Sequence, residues 1–166
     1  QRQMCIRDRH KDSSKVEGTR YVIYPSIEMP MISDSWELTP KLGVRYVDYS
    51  LDNNQNSVSK TTPIASLRGK LYFEKYVGNK HYTLEPEAYL LYIPVGNQDE
   101  NPIFDTGLKA LKYSLLSENK FYGEDRINDA KQMSLALTHR IIDENSGDEL
   151  FTGTIGQIIY FEDRDV

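Results

Sequence analysis

The stretch KQMSLALTHRIIDENSGDELFTGTIGQIIYF, residues 131–161, predicts two long β-strands joined by a tight turn. Apolar and polar side chains alternate along both halves, and this period of two favours strand over helix. The apolar positions are Met133, Leu135, Leu137 and Ile141 on the first strand and Phe151, Ile155, Ile159 and Phe161 on the second. Each half is about twice the usual strand length of 5–6 residues, and a membrane-crossing strand needs roughly 9–11. We therefore predict a hairpin of a transmembrane β-barrel.

The upstream chain repeats this alternation four more times, at about residues 20–31, 36–49, 64–76 and 81–95. Short turns follow the first and third of these stretches, whereas the connections at 50–63 and 96–130 are long. Outer-membrane barrels have short turns on one side and longer loops on the other. The predicted fold is therefore all-β: an antiparallel up-and-down meander of about six long strands. Such a meander would form an open, curved segment of a large transmembrane barrel.

Three prolines, Pro25, Pro40 and Pro86, argue against paired strands, because proline donates no ladder hydrogen bond. All three fall on the apolar face, and the alternation continues on both sides of each one. We expect local bulges or unpaired ladder positions there.

Composition excludes several classes of protein. The 166 residues carry a net charge of −5, so the sequence lacks the basic surface that nucleic-acid binding requires, and we expect no nucleic-acid partner. A spanning helix needs about 18 consecutive apolar residues, and no such run occurs. The single cysteine, Cys5, cannot form an internal disulfide. Residues 1–18 are polar and aperiodic, and we expect them to be disordered or non-native, with a partial barrel domain at 19–166.

Four segments of the chain are similar to the β-barrel region of the LptD family of LPS-assembly proteins. They are TLEPEAYLLYIP at 83–94, IFDT at 103–106, FYGEDRINDAKQ at 121–132 and GQIIYF at 156–161. Their order and spacing also match, and the resemblance covers nearly everything after the first 15–18 residues.

The resemblance implies a function in the outer membrane of a Gram-negative bacterium. Members of the family insert lipopolysaccharide into the outer leaflet, without catalysis and without a cofactor. The implied partners are lipopolysaccharide, outer-membrane lipid, the lipoprotein LptE that plugs the barrel, and the periplasmic Lpt bridge, which docks on a jellyroll domain. Because six strands are fewer than the roughly 8 of the smallest such barrels, we expect an internal fragment that lacks the jellyroll.

Eight charged residues are predicted to face the barrel interior: Glu28, Lys41, Arg45, Arg68, Lys70, Glu85, Glu87 and Arg140. We call this set the polar wall. It could give the sugar and phosphate parts of lipopolysaccharide a hydrated route, solvate the lumen in the ordinary way, or contact LptE. The spacing of Glu85 and Glu87 also suits paired catalytic carboxylates, but a hydrated wall is the favoured interpretation.

A second cluster, Asp125, Arg126 and Asp129, lies in the long connection before residue 131. We expect Arg126 to pair with one of these aspartates or with a neighbouring loop, and so to fix the loop over the barrel mouth. The alternative is that the acidic residues meet divalent cations near lipopolysaccharide phosphates. The order of ligands that marks a dedicated calcium loop is absent. His81 and His139 lack the spacing of a zinc site, so no metal site is predicted.

Two other classes of protein fit parts of the pattern. A porin-like channel would have the same hairpins, and only the family resemblance separates it from a lipid transporter. A soluble carbohydrate-binding β-sandwich would cover the apolar rows with a second sheet. Exposure of those rows is therefore the deciding observation.

Overall fold

The computed structural model describes residues 2–8 (backbone only), 18–51, 58–94, 96, 102–110 and 114–162. Ten strands form one antiparallel sheet, whose main path runs β1-β2-β5-β6-β8-β11-β12. The strands are β1 (Arg2–Asp8), β2 (Gly18–Tyr24), β3 (Ser26–Glu28), β4 (Met31–Ile32), β5 (Trp36–Leu51), β6 (Val58–Leu71), β7 (Phe73–Val77), β8 (Lys80–Ile93), β9 (Gly107–Leu108), β10 (Phe121–Tyr122), β11 (Ala130–Asp143) and β12 (Glu149–Tyr160). β9 and β10 form a separate two-stranded sheet. The predicted all-β antiparallel meander is confirmed, and the sheet is open.

The five longest strands have lengths that suit a membrane crossing. β5 has 16 residues, β6, β8 and β11 have 14 each, and β12 has 12. β6 begins at Val58, earlier than predicted, because its pairing with β5 continues to Tyr49. Among the described residues, no helix is long and apolar enough to cross a membrane.

The three prolines coincide with the breaks in the ladder. Pro25 separates β2 from β3, and its carbonyl still accepts a hydrogen bond from the Val44 amide at 3.0 Å. Pro40 lies opposite the break between β3 and β4, and Pro86 lies opposite the break between β6 and β7. Each break falls where proline supplies no N–H group, so the prediction of unpaired ladder positions holds.

The two faces of the sheet differ in chemistry. The predicted apolar rows are exposed: Ile27, Leu42 and Ile155 have 79%, 67% and 71% of their surface accessible. No second sheet covers these rows within the described part of the chain, contrary to the β-sandwich alternative. The opposite face, which we call the inner face, carries the polar wall and is covered in part by described residues of the long connection, within 102–110 and 114–129.

Two apolar clusters hold that connection against the inner face. Ile127 packs with Ile64, Leu91 and other side chains of β6 and β8. Phe104 packs against Val22, Val47 and Tyr49 on β2 and β5. The core of this open sheet therefore lies between strands and a long connection, not between two layers of secondary structure.

The segment at the N-terminus differs in part from the sequence prediction of disorder. Arg2–Asp8 forms a strand that pairs with β2 in register from Gly18 to Tyr24. This pairing gives backbone hydrogen-bond partners to the edge of β2 that does not pair with β5. The local composition of residues 2–8 does not predict such a pairing. Residues 9–17 lie outside the described residues, so the domain division at residue 18 stays a prediction.

Candidate functional site

All eight residues of the polar wall lie on the inner face, as β-strand alternation requires. Part of the wall is neutralised within the sheet. The Lys70 Nζ lies 2.7 Å from Glu85 Oε2, and the Arg140 guanidinium lies 3.6 Å from Glu85 Oε1. The Arg68 Nε lies 3.3 Å from Glu87 Oε1. Glu85 and Glu87 are thus ion-pair partners of separate cations, which supports the hydrated wall over a catalytic carboxylate pair.

The connection and the inner face border a half-open cavity of about 960 Å³. Charged groups line both of its sides. The sheet contributes Glu28, Glu37, Lys41, Arg45 and Arg68, and the connection contributes Lys109, Glu118 and Glu124. A cavity of this size and polarity can hold a hydrated, hydrogen-bonding ligand.

Three cations of the wall contact the connection. The Lys41 Nζ lies 2.6 Å from Glu118 Oε1. The Arg45 Nη2 lies 3.3 Å from Glu124 Oε2 and also donates to the Glu124 carbonyl. The Arg68 Nη2 donates to the Leu116 carbonyl at 2.8 Å. The wall therefore binds this loop as well as facing the cavity.

A buried arginine anchors the base of the same loop. Arg20 on β2 is fully buried, and its two Nη atoms each donate to a carboxylate oxygen of Asp105 at 2.8 Å. Its Nη1 also contacts Asp125 Oδ1. We call Arg20, Asp105 and Asp125 the latch. Such two-pronged arginine–carboxylate pairs are among the stronger and more directional charged contacts.

Asp125 also organises the backbone of the connection. Its Oδ2 accepts hydrogen bonds from the Phe104 amide at 2.7 Å and the Asp105 amide at 2.8 Å. The Tyr49 hydroxyl donates to the Asp125 carbonyl at 3.1 Å. One carboxylate thus joins β2, the start of the connection and its end.

The predicted cluster of Asp125, Arg126 and Asp129 lies at the end of the connection, just before β11. Asp125 has a cationic partner that the sequence does not predict, Arg20 from β2. The Arg126 carbonyl accepts a hydrogen bond from the Asn119 side chain at 2.8 Å, and Asp129 is buried. Sequence analysis missed Arg20 and Asp105, since 85 and 105 residues separate Arg20 from Asp105 and Asp125. The only signal is that Asp105 lies in the segment IFDT at 103–106, and that Arg20 lies within the wider range that the resemblance covers.

Within the described ranges, no group of three or more His, Cys, Asp or Glu side chains is placed to hold a metal ion. His81 lies between Glu74 and Glu144, with 3.5 Å from a ring nitrogen to each carboxylate. His139 lies apart from it, and its Nδ1 contacts the Thr83 carbonyl at 2.7 Å.

The latch should respond to strong acid. Hydrogen bonds from Arg20 lower the pKa of Asp105 from 3.8 to about 2. Because the pKa of Asp105 is lower in the folded state than in the unfolded state, the contact with Arg20 stabilises the docked loop fully above pH 3.8. This stabilisation is lost as the pH falls through about 2. In the full-length protein, we expect pepsin to cleave residues 102–129 faster near pH 2 than above pH 3.8. The cleavage rate at each pH is corrected for the activity of pepsin on an unfolded substrate at that pH. Asp105→Asn should weaken this dependence, and an unchanged profile in that variant would contradict the assignment.

Gly123 is required by the latch. Its φ is 77°, and a Cβ there would overlap the side-chain and carbonyl oxygens of Asp105. Gly123→Ala should therefore add a steric clash to the roughly 1–2 kcal/mol of a left-handed backbone, and protease cleavage of the connection should accelerate. Gly147 is the matched control, because its φ is 75° and nothing lies near the added Cβ. Equal effects of Gly123→Ala and Gly147→Ala would show that the clash does not matter.

Comparison with known proteins gives one consistent family. The family model described as LptD, LPS transport system D, matches residues 3–166. Three relatives described as LPS-assembly protein LptD are 37–39% identical. The Aromatoleum aromaticum protein is 37% identical over 166 residues, which are 95% of this chain and 21% of that protein. The Thiobacillus denitrificans protein is 39% identical over 155 residues, which are 89% of this chain and 21% of that protein. The Xylella fastidiosa protein is 38% identical over 160 residues, which are 88% of this chain and 20% of that protein. The chain thus spans about a fifth of the length of the curated relatives it matches.

Proposed function

Because this chain belongs to the LptD family, we propose that it is part of an outer-membrane barrel that inserts lipopolysaccharide into the outer leaflet of a Gram-negative bacterium. The observation that carries the proposal is the family match over residues 3–166. In this proposal the segment transports and assembles a lipid, and it performs no catalysis and uses no cofactor.

The exposed face of the sheet supports a membrane location. Its apolar side chains lie at alternate positions on strands of 12–16 residues, and in a barrel such positions face lipid. Aromatic side chains lie near both ends of these strands, with Trp36 and Phe73 towards the short turns and Tyr92 and Phe161 towards the long connections. This distribution matches the aromatic girdles of outer-membrane barrels.

The inner face supports a polar route. A wall of charged side chains beside a cavity of about 960 Å³ suits the hydrated sugar and phosphate portion of lipopolysaccharide, because charged groups keep water and ions within the lumen. We propose that the whole protein also binds the LptE lipoprotein and receives lipopolysaccharide from a periplasmic Lpt bridge. The latch and the loop that it anchors would set the shape of this part of the lumen.

Charge reversal tests the route. In the full-length protein, Lys41→Glu, Arg45→Glu and Arg68→Glu together should lower surface lipopolysaccharide about tenfold or more, because like charges placed in contact cost several kcal/mol. Antibody binding to intact cells measures surface lipopolysaccharide, and heat-modifiable migration of the barrel measures its folding.

Two reversals outside the cavity serve as the control. Lys75 and Lys80 lie beside the turn between β7 and β8. Lys75→Glu and Lys80→Glu should leave the amount of surface lipopolysaccharide unchanged. Normal surface display by the folded triple variant would count against a polar route through this wall.

A further inference from the structure

We propose that Lys41 and Arg45 form a binding site for a phosphorylated saccharide, and that the loop residues Glu118 and Glu124 occupy this site when no ligand is bound. The inference deepens the proposed function and rests on it, since the phosphorylated saccharide would be a part of the transported lipid. The loop carboxylates are then internal stand-ins for the phosphate groups.

The distribution of ion pairs separates these two cations from the rest of the wall. Lys70, Arg140 and Arg68 each have a carboxylate partner within the sheet. Among the described residues, Lys41 and Arg45 form their ion pairs with the loop alone. Glu28 lies directly across the ladder from Lys41, yet Lys41 contacts Glu118. The sheet therefore leaves two positive charges for an anion that comes from outside it.

The environment of Glu118 resembles an anion site. One carboxylate oxygen lies 2.6 Å from Lys41 Nζ, and the other accepts a hydrogen bond from the Tyr24 hydroxyl at 3.0 Å. The Lys41 Nζ also lies 5.2 Å from the centre of the Tyr24 ring. A cation and a hydroxyl donor that converge on two oxygens of one group suit a phosphate as well as a carboxylate. At the second position, Arg45 adds a guanidinium 3.3 Å from Glu124 Oε2.

The cavity has room for a sugar beside these groups. Its volume of about 960 Å³ is at the upper end of the roughly 300–1,000 Å³ of small-molecule sites. Tyr24 and Phe121 contribute rings to its lining. Aromatic rings can contact the apolar faces of a saccharide.

The site can open without release of the loop. Glu124 directly precedes Asp125, whose carboxylate is held by Arg20 and two backbone amides. The side chains of Glu118 and Glu124 are 22% and 31% exposed, so both border open space. In this proposal these two side chains rotate to admit a phosphate, while the latch and the hydrogen bond from Arg45 to the Glu124 carbonyl keep the backbone in place.

Binding of glucosamine 6-phosphate to the full-length protein, in detergent and with its lipoprotein partner, tests the inference. Glu118→Gln with Glu124→Gln keeps shape and removes the competing charges, so calorimetric titration should give an affinity about tenfold higher. Lys41→Gln with Arg45→Gln should lower it about tenfold. Glu74→Gln removes an exposed carboxylate outside this cavity and should change nothing. Heat-modifiable migration confirms that each variant is folded, and the single Glu118→Gln variant, which retains the Arg45 contact, should show a smaller gain.

The outcomes separate this inference from the proposed function. Tighter binding in the Gln variants, with no binding of unphosphorylated glucosamine, supports it. Equal affinities in all folded variants overturn it, even if charge reversal abolishes surface lipopolysaccharide and so upholds the route. Equally tight competition by inorganic phosphate would also overturn it, because the site would then recognise no saccharide.

Discussion

Arg20→Met in the full-length protein should destabilise the folded barrel segment by about 3–5 kcal/mol, the range measured when one partner of a buried ion pair is removed. Arg20 is fully buried and contacts both Asp105 and Asp125. Methionine fills much of the same volume but leaves both carboxylates without the guanidinium. The connection at 102–129 should then leave the inner face, because the latch holds its two ends together.

Two measurements check this prediction. Folded barrels migrate faster than unfolded ones in SDS gels, and the temperature at which the faster band is lost should fall. Protease added outside the membrane should cleave the connection. The matched variant combines Arg20→Met with Asp105→Asn and Asp125→Asn, which removes the uncompensated charges and should restore part of the lost stability. Full stability of Arg20→Met alone would mean that the latch contributes little to docking the loop.

Leu42→Arg should lower the stability of the inserted barrel by about 2–4 kcal/mol, the cost of arginine facing lipid near the bilayer midplane. Leu42 lies in the middle of β5, on the apolar face, with 67% of its surface exposed. In water, an exposed leucine tolerates arginine with an effect usually within about 0.5 kcal/mol. The substitution therefore distinguishes a lipid-facing residue from a water-facing one.

Val77→Arg is the control, since Val77 ends β7 beside the short turn and is also exposed. The cost of arginine falls to about 0–1 kcal/mol near the membrane interface. The amount of folded barrel in outer membranes should thus drop for Leu42→Arg and hold for Val77→Arg. Equal folding of the two variants would contradict the assignment of this face to lipid.

Strand alternation predicts most of the sheet correctly because it is a local property. Successive side chains of a strand point to opposite faces, so residue types alone place Lys41 and Arg45 on the inner face and Leu42 on the outer one. Pro40 and Pro86 also act locally, because each lacks the N–H group that its neighbour in the ladder needs. β6 is longer than its own residue pattern predicts, because its first residues are set by pairing with β5.

The loop contacts have a different origin. Arg126 is the nearest arginine to Asp125 in the sequence, but the carboxylate of Asp125 also contacts Arg20, 105 residues away. Local spacing cannot predict this partner, because the contact depends on the position of β2 beside β5 once the sheet has formed. The same holds for Glu118 and Glu124, whose partners lie on β5.

The amino-acid sequence by itself determined the strands, the chemistry of their two faces and the family, because each of these follows from the order of residue types along the chain. Only the tertiary structure decided that the long connection folds back over the polar wall and that Arg20 holds it there. Those contacts join residues that are distant along the chain, and they form because a buried guanidinium and the carboxylates of the loop must neutralise one another.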